Sequence, residues 1–198
     1  MKSFKIILVL AVATLFTSAS PPEIYKYLLS KNYTVTILGT SNLHNWNETV
    51  GTVFGDGSVT WNADGTFDLD AINLKMQVSS IKSDMGSIMN NNTYKALKED
   101  HNPEIIFTLN TPVKSIKAGA AATTIHAEGV LTIAGATKPI EMQIVVSAPN
   151  KGYLTFDGSQ TIKMTDYGIS PPTALLGTLK TGNDITINFK TVFTVTSN

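Results

Sequence analysis

In separate runs between Tyr33 and Phe189, apolar side chains recur at every second position, and that period of two constrains the fold more than any other property of the chain. Val35 and Ile37 alternate with threonines. Phe67 and Leu69 alternate with Asp68 and Asp70. Ile140, Met142, Ile144 and Val146 alternate with Glu141 and Gln143, and Ile185, Ile187 and Phe189 alternate with Thr186 and Asn188. Successive side chains of a strand point to opposite faces, so each run is a strand with one greasy and one wet face. Around Ala71 the apolar set changes parity, from Phe67 and Leu69 to Leu74, Met76 and Val78, which predicts a β-bulge bending a long strand.

Turn signals separate the runs at Gly55-Asp56-Gly57, Asn62 to Gly65, Ala134 to Lys138, Pro149 to Gly152, Asp157-Gly158 and Thr181 to Asp184, and read as antiparallel hairpin connections. The exception is Ser87 to Asp100, where Ile88, Met89, Tyr94, Ala96 and Leu97 sit at helical spacings and Asn90 to Asn92 mark a cap or a break. The expected architecture is all-β: a barrel or sandwich of about eight antiparallel strands with one short helix, a size at which a barrel interior holds one slender ligand.

The chain has 198 residues, 42% of them apolar, enough for one sizeable core. Residues 1–20 read as a signal peptide: Lys2 and Lys5, then an apolar stretch from Ile6 to Phe16, then small residues before Pro21. Residues 21–198 read as a single exported domain, periplasmic or extracellular. The apolar stretch is too short for a comfortable membrane span, and no later run reaches ~20 apolar residues, so no integral membrane span is expected. All 15 cations are lysines. A near-neutral chain without arginine lacks the footprint of nucleic-acid binding and of bidentate phosphate capture. With no cysteine, disulfides, thiol catalysis and thiolate metal sites are excluded.

Catalytic signals are sparse. His44, His101 and His126 lie far apart in sequence, without metal-ligand spacing, and read as surface or hydrogen-bonded histidines. Asp68 and Asp70, two residues apart on a strand, share its solvent face. No nucleophile elbow, phosphate-binding loop or dinucleotide fingerprint is present. No catalytic residue, metal or cofactor is expected.

Four stretches together resemble the YceI-like family of exported, lipocalin-like barrels associated with binding polyisoprenoids and other long amphiphiles. They are Gly39 to Trp46 followed by Val50-Gly51-x-Val53-Phe54; Ser79 to Ser83 with Met89 to Lys98 and His101 to Phe107; Gly129 to Ile140; and Ile162 to Ile169. The resemblance covers most of residues 33–195. It implies a lipocalin-like barrel with His44 and Trp46 as a family feature. His44, Lys163, Asp166, Tyr167, Leu175 and Leu176 are then expected at the barrel mouth. Where the family often carries an arginine before the aspartate of the fourth element, this chain has Lys163-Met164-Thr165, so a head group that needs a guanidinium is poorly served.

If the sheet closes with its wet face outward, Val35, Ile37, Leu69, Met76, Ile105, Phe107, Leu131, Ile133, Met142, Ile144, Ile187, Phe189 and Phe193 point inward, with Trp46 beside them. Such a lumen is expected to carry no charge and to take a hydrophobic small molecule, an isoprenoid or lipid tail. The first reading is therefore an exported, non-catalytic lipid-binding protein. The alternatives are a ligand-free structural or interaction module with a filled barrel, and an enzyme on a lipophilic substrate with His44 or His126 and Asp166 or Glu128 brought together at the mouth. Oligomeric state is not legible.

Overall fold

The computed structural model of the protein describes residues 23–174 and 177–196; residues 1–20, read above as a signal peptide, and Leu175 and Leu176, expected above at the barrel mouth, lie outside the described residues. Its strands are β1 (Glu23–Ser41), β2 (Asn45–Val50), β3 (Val53–Trp61), β4 (Thr66–Gln77), β5 (Ile81–Ser83), β6 (Glu104–Leu109), β7 (Val113–Lys117), β8 (Gly119–Ile133), β9 (Ala136–Asn150), β10 (Tyr153–Lys163), β11 (Thr173–Ala174) and β12 (Leu179–Val195). The helix α1 (Ser87–Ala96) lies between β5 and β6. Eight strands close an antiparallel barrel in the order β1-β3-β4-β6-β8-β9-β10-β12, and β12 returns to pair with β1 from Tyr27↔Val195 to Ser41↔Thr181. Closure satisfies the strand edges that an open sheet leaves exposed.

The long strands achieve this by bending at bulges. In β1, Ser30 to Asn32 face the single residue Val192 between the pairs Leu29↔Phe193 and Tyr33↔Thr191. In β4, the step from Ser58↔Ala71 to Val59↔Leu69 leaves Asp70 unmatched, at the place where the apolar parity changes. β1 also changes partners along its length: Glu23 to Leu28 pair with β3, whereas Thr36 to Thr40 pair with β2. Tyr33 pins that crossover, its hydroxyl donating to the Gly51 carbonyl at 2.9 Å and accepting from the Val53 amide at 3.0 Å.

Three expected turns are instead strand interior. Gly55-Asp56-Gly57 lies in β3, Asp157-Gly158 in β10, and Thr181 to Asp184 in β12, where Gly182 to Asp184 bulge opposite Thr40. Their glycines give room to the adjoining strand: a Cβ on Gly57 would stand 2.8 Å from the Ala71 carbonyl oxygen. Hairpins do form at the other signals. At Ala134-Gly135 both residues adopt left-handed backbone, φ 51° and 84°, which matches the twist of the flanking strands. Asn90 to Asn92 neither cap nor break α1 but lie within it; the Asn90 Oδ1 accepts the Ser83 amide at 2.8 Å.

The barrel interior is solid in one part and hollow in another. The solid part holds Tyr27, Val59, Trp61, Phe67, Val146 and Leu154, all buried. Its polar atoms are paired: Trp61 Nε1 donates to the Tyr27 hydroxyl at 3.0 Å, and that hydroxyl donates to the Lys151 carbonyl at 2.8 Å. The Trp61 and Phe67 rings meet in a tilted arrangement with centroids 5.2 Å apart. None of these six side chains lines the cavity described next.

Candidate functional site

The hollow part is a cavity of about 240 Å³ whose wall is built from the inward faces of the barrel strands. All fourteen residues expected to face the lumen line it: Val35 and Ile37 from β1, Trp46 from β2, Leu69 and Met76 from β4, Ile105 and Phe107 from β6, Leu131 and Ile133 from β8, Met142 and Ile144 from β9, and Ile187, Phe189 and Phe193 from β12. Ile187 and Phe189 are only half-buried although they face inward, because beside them lies void rather than packed side chain.

Space for the cavity depends on three inward glycines, each crossed by an aromatic ring. A Cβ on Gly39 would lie 2.1 Å from Trp46 Cζ2, one on Gly129 2.4 Å from Phe107 Cε2, and one on Gly158 2.4 Å from Phe189 Cζ. Gly39 and Trp46 are a direct cross-strand pair, as are Gly158 and Phe189. None of the three has positive φ, so the backbone does not require glycine there; the rings do. Laid flat on the wall, Trp46, Phe107 and Phe189 enlarge the apolar surface without filling the lumen. Trp46 is therefore wall rather than plug, held by Nε1 donating to the Thr40 carbonyl at 3.0 Å; the plug is Trp61.

Helix α1 lies over the cavity and contributes Met89, Asn92, Thr93 and Ala96, with Leu97 at its C-terminal end, a helical stripe that the period-two reading did not place in the lumen. The Tyr94 hydroxyl fastens the helix to the barrel, its one proton shared between the carbonyls of Ser79 and Ile81, at 2.9 and 2.8 Å, while its oxygen accepts from Lys82. The segment after β10 adds Met164, Tyr167, Ile169 and Pro172.

The expectation of a charge-free lumen is corrected by Glu48. This residue of β2 is 3% exposed and lines the cavity, with Oε1 accepting the Thr93 hydroxyl at 2.5 Å. Burial pushes its carboxyl above the ordinary carboxylate range, against the opposing pull of the Thr93 hydrogen bond. A period-two signal existed for it: Trp46, Glu48 and Val50 share one parity, and all three line the cavity. Among the described lining residues Glu48 is the only carboxyl, and Tyr167 the only other titratable group; burial, and then the neighbouring Asp166, raise the Tyr167 phenol.

Of the expected mouth residues that fall among the described residues (His44, Lys163, Asp166 and Tyr167), Tyr167 alone lines the cavity. Asp166 is exposed, and Lys163 turns to solvent, where its Nζ meets Asp184 Oδ1 at 2.7 Å. His44 is exposed at the β1–β2 turn, with Nδ1 2.9 Å from the Asn45 carbonyl oxygen. His126 projects outward from β8 between buried Ile125 and Ala127, with Nε2 3.5 Å from Glu141 Oε2. Among the described residues, no hydrogen bond or ion pair joins either histidine to Asp166 or Glu128. No group of three metal-ligating side chains occurs among the described residues.

Residues 31–193 match the YceI-like domain. This chain belongs to the YceI-like family. Solved structures share the fold at low identity. A polyisoprenoid-binding domain from Saccharophagus degradans implicated in plant cell wall breakdown is 12% identical with TM-score 0.66, over 86% of this chain and 98% of that one. BcnA of Burkholderia cenocepacia is 18% identical with TM-score 0.58, over 81% and 95%. The YceI protein of Campylobacter jejuni is 15% identical with TM-score 0.52, over the whole of both chains. No curated protein matches.

Proposed function

We propose that this YceI-like chain is an exported, non-catalytic binding protein that holds the tail of an isoprenoid or similar long-chain lipid in its barrel. The observation that carries the reading is the cavity of about 240 Å³ walled by aliphatic and aromatic side chains from every strand of the barrel. Burying one five-carbon isoprene unit releases on the order of 4 kcal/mol gross, at about 0.8 kcal/mol per carbon, so a few units offset the cost of ordering a chain. A strongly polar solute would find few partners on those walls and lose its hydration uncompensated. The similarity in fold to a polyisoprenoid-binding domain supports the same choice. Export rests on the signal-like residues 1–20, with residues 21–198 as the mature domain in the periplasm or outside the cell.

The test is mass spectrometry of organic extracts from protein purified gently from its own host. An isoprenoid or fatty tail should co-purify in stoichiometric amount. A protein that comes out empty, and stays empty after incubation with isoprenoid quinones, fatty acids and polyprenyl lipids, refutes the reading.

A further inference from the structure

Glu48 is out of keeping with its surroundings. It sits on β2 between Ile37 of β1 and Ser83 of β5, in a cavity otherwise walled mostly by hydrocarbon. Removing a carboxyl from water is costly, and one hydroxyl is a small return for it: a carboxylate offers about four acceptor positions, of which Thr93 fills one. An aliphatic residue would pack the wall at less cost. Nor is the carboxyl a surface group reaching inward, since it is 3% exposed and lies beneath α1, which supplies Thr93 and Asn92 to the same part of the wall. A side chain of this kind, in a chamber shaped for a tail, is placed to meet one polar group of whatever enters.

We propose that Glu48, positioned by Thr93, anchors the head of the bound lipid, and that this head is an uncharged hydroxyl rather than a phosphate or carboxylate. The proposal rests on the tail-binding reading above. An alcohol complements the site because it donates to the free acceptor positions of the carboxyl without bringing a second negative charge into the cavity. A phosphate or carboxylate head brings only acceptors and like charge, and no arginine or lysine lines the cavity among the described residues to offset it. Anionic amphiphiles therefore have to keep their heads outside, whereas alcohols can be swallowed whole. The anchor divides the ligand's polarity between the α1 side of the chamber, which receives the head, and the floor formed by Phe156 and Phe193, which receives the tail.

The experiment uses three probes with the same fifteen-carbon tail, farnesol, farnesyl phosphate and the hydrocarbon farnesene, and measures Kd by competition with a fluorescent fatty probe. For the wild-type protein farnesol should bind about tenfold or more tighter than farnesene, the discrimination expected of a hydrogen bond to an ionisable group, and tighter than farnesyl phosphate. In Glu48→Leu the farnesol and farnesene values should converge to within about threefold. In Glu48→Gln, which keeps the Thr93 partner and the side-chain volume, farnesyl phosphate should gain on farnesol relative to wild type. If the wild type binds all three equally, or prefers the phosphate, the anchor is wrong while tail binding stands. If Glu48→Leu leaves the farnesol preference intact, the anchor is likewise wrong. If none of the three binds the wild type, the anchor and the tail-binding reading both fail. The wild-type ranking needs no variant to fold.

Discussion

Replacing Gly39 by alanine tests whether the inward glycines exist for the rings that cross them. The new Cβ would stand 2.1, 2.4 and 2.7 Å from Cζ2, Cε2 and Cη2 of Trp46, whereas ordinary contact begins at 3.4 Å. The indole has to retreat by at least about 1.3 Å, the difference between those first and last distances. Overpacking of that kind costs about 1–3 kcal/mol. The retreat also strains the bond from Trp46 Nε1 to the Thr40 carbonyl, 3.0 Å long, whose loss costs roughly 0.5–1.5 kcal/mol. Against this, removing a glycine from a strand interior gains about 0.5–1 kcal/mol. The net is a destabilisation of about 2 kcal/mol, or a fall in Tm of roughly 4–8 °C for a chain of this size. Thermal unfolding followed by circular dichroism reads the shift, with tryptophan emission reporting the displaced ring. The decisive comparison is a double-mutant cycle with Trp46→Leu. Once the indole is gone, Gly39→Ala should be neutral or slightly stabilising. Equal destabilisation with and without the indole would mean that Gly39 serves the backbone, and the flat-ring account of the hollow barrel would be wrong.

Two further outcomes follow from paired polar groups. Tyr27→Phe should cost about 1–3 kcal/mol by denaturant unfolding, because it strips the buried Trp61 Nε1 of its acceptor and the Lys151 carbonyl of its donor; an unchanged midpoint would show the plug is not held by these bonds. Glu48→Gln should change the pH dependence of stability in a definite sense. Burial raises the carboxyl in the folded state above its ordinary value of 4.5, so the wild type is fully stabilised below that pH and loses stability as pH rises through the folded value. Gln does not titrate, so the stability difference, Gln variant minus wild type, should grow from pH 4.5 upward and then level off. A difference that stays constant from pH 4 to pH 8 would exclude the raised carboxyl.

Much of the site was legible because alternation assigns a face. Once Ile140, Met142 and Ile144 are known to share one, closure of the sheet leaves them only the lumen to point into, and the same reasoning placed Val35, Phe107 and Ile187. The turn readings failed for a related reason. Gly55, Gly57 and Gly158 look like punctuation in a one-dimensional string, yet each lies in a strand where a neighbouring chain or ring comes close. A string contains no information about which strand lies alongside. Glu48 shows an intermediate case: its parity with Trp46 and Val50 pointed inward, but solvation argues against an inward carboxyl until Thr93 is seen above it.

The sequence by itself thus determined the antiparallel strands, the bend near Ala71 and the inward face of most strands, because a period of two is a local property of extended backbone, while its four motif stretches pointed to the family and through it to the barrel. Only the tertiary structure decided how deep along the barrel each of those side chains sits. Depth follows from the pairing of β12 with β1, from the bulges at Ser30 to Asn32 and at Asp70, and from the stagger they impose, none of which is local. That stagger packs Tyr27, Trp61 and Phe67 into a solid plug, lays Trp46, Phe107 and Phe189 flat over glycines, and brings Thr93 of α1 onto Glu48. Whether an apolar interior is a core or a chamber depends on which side chains meet across the lumen, and those meetings exist only after the sheet has closed.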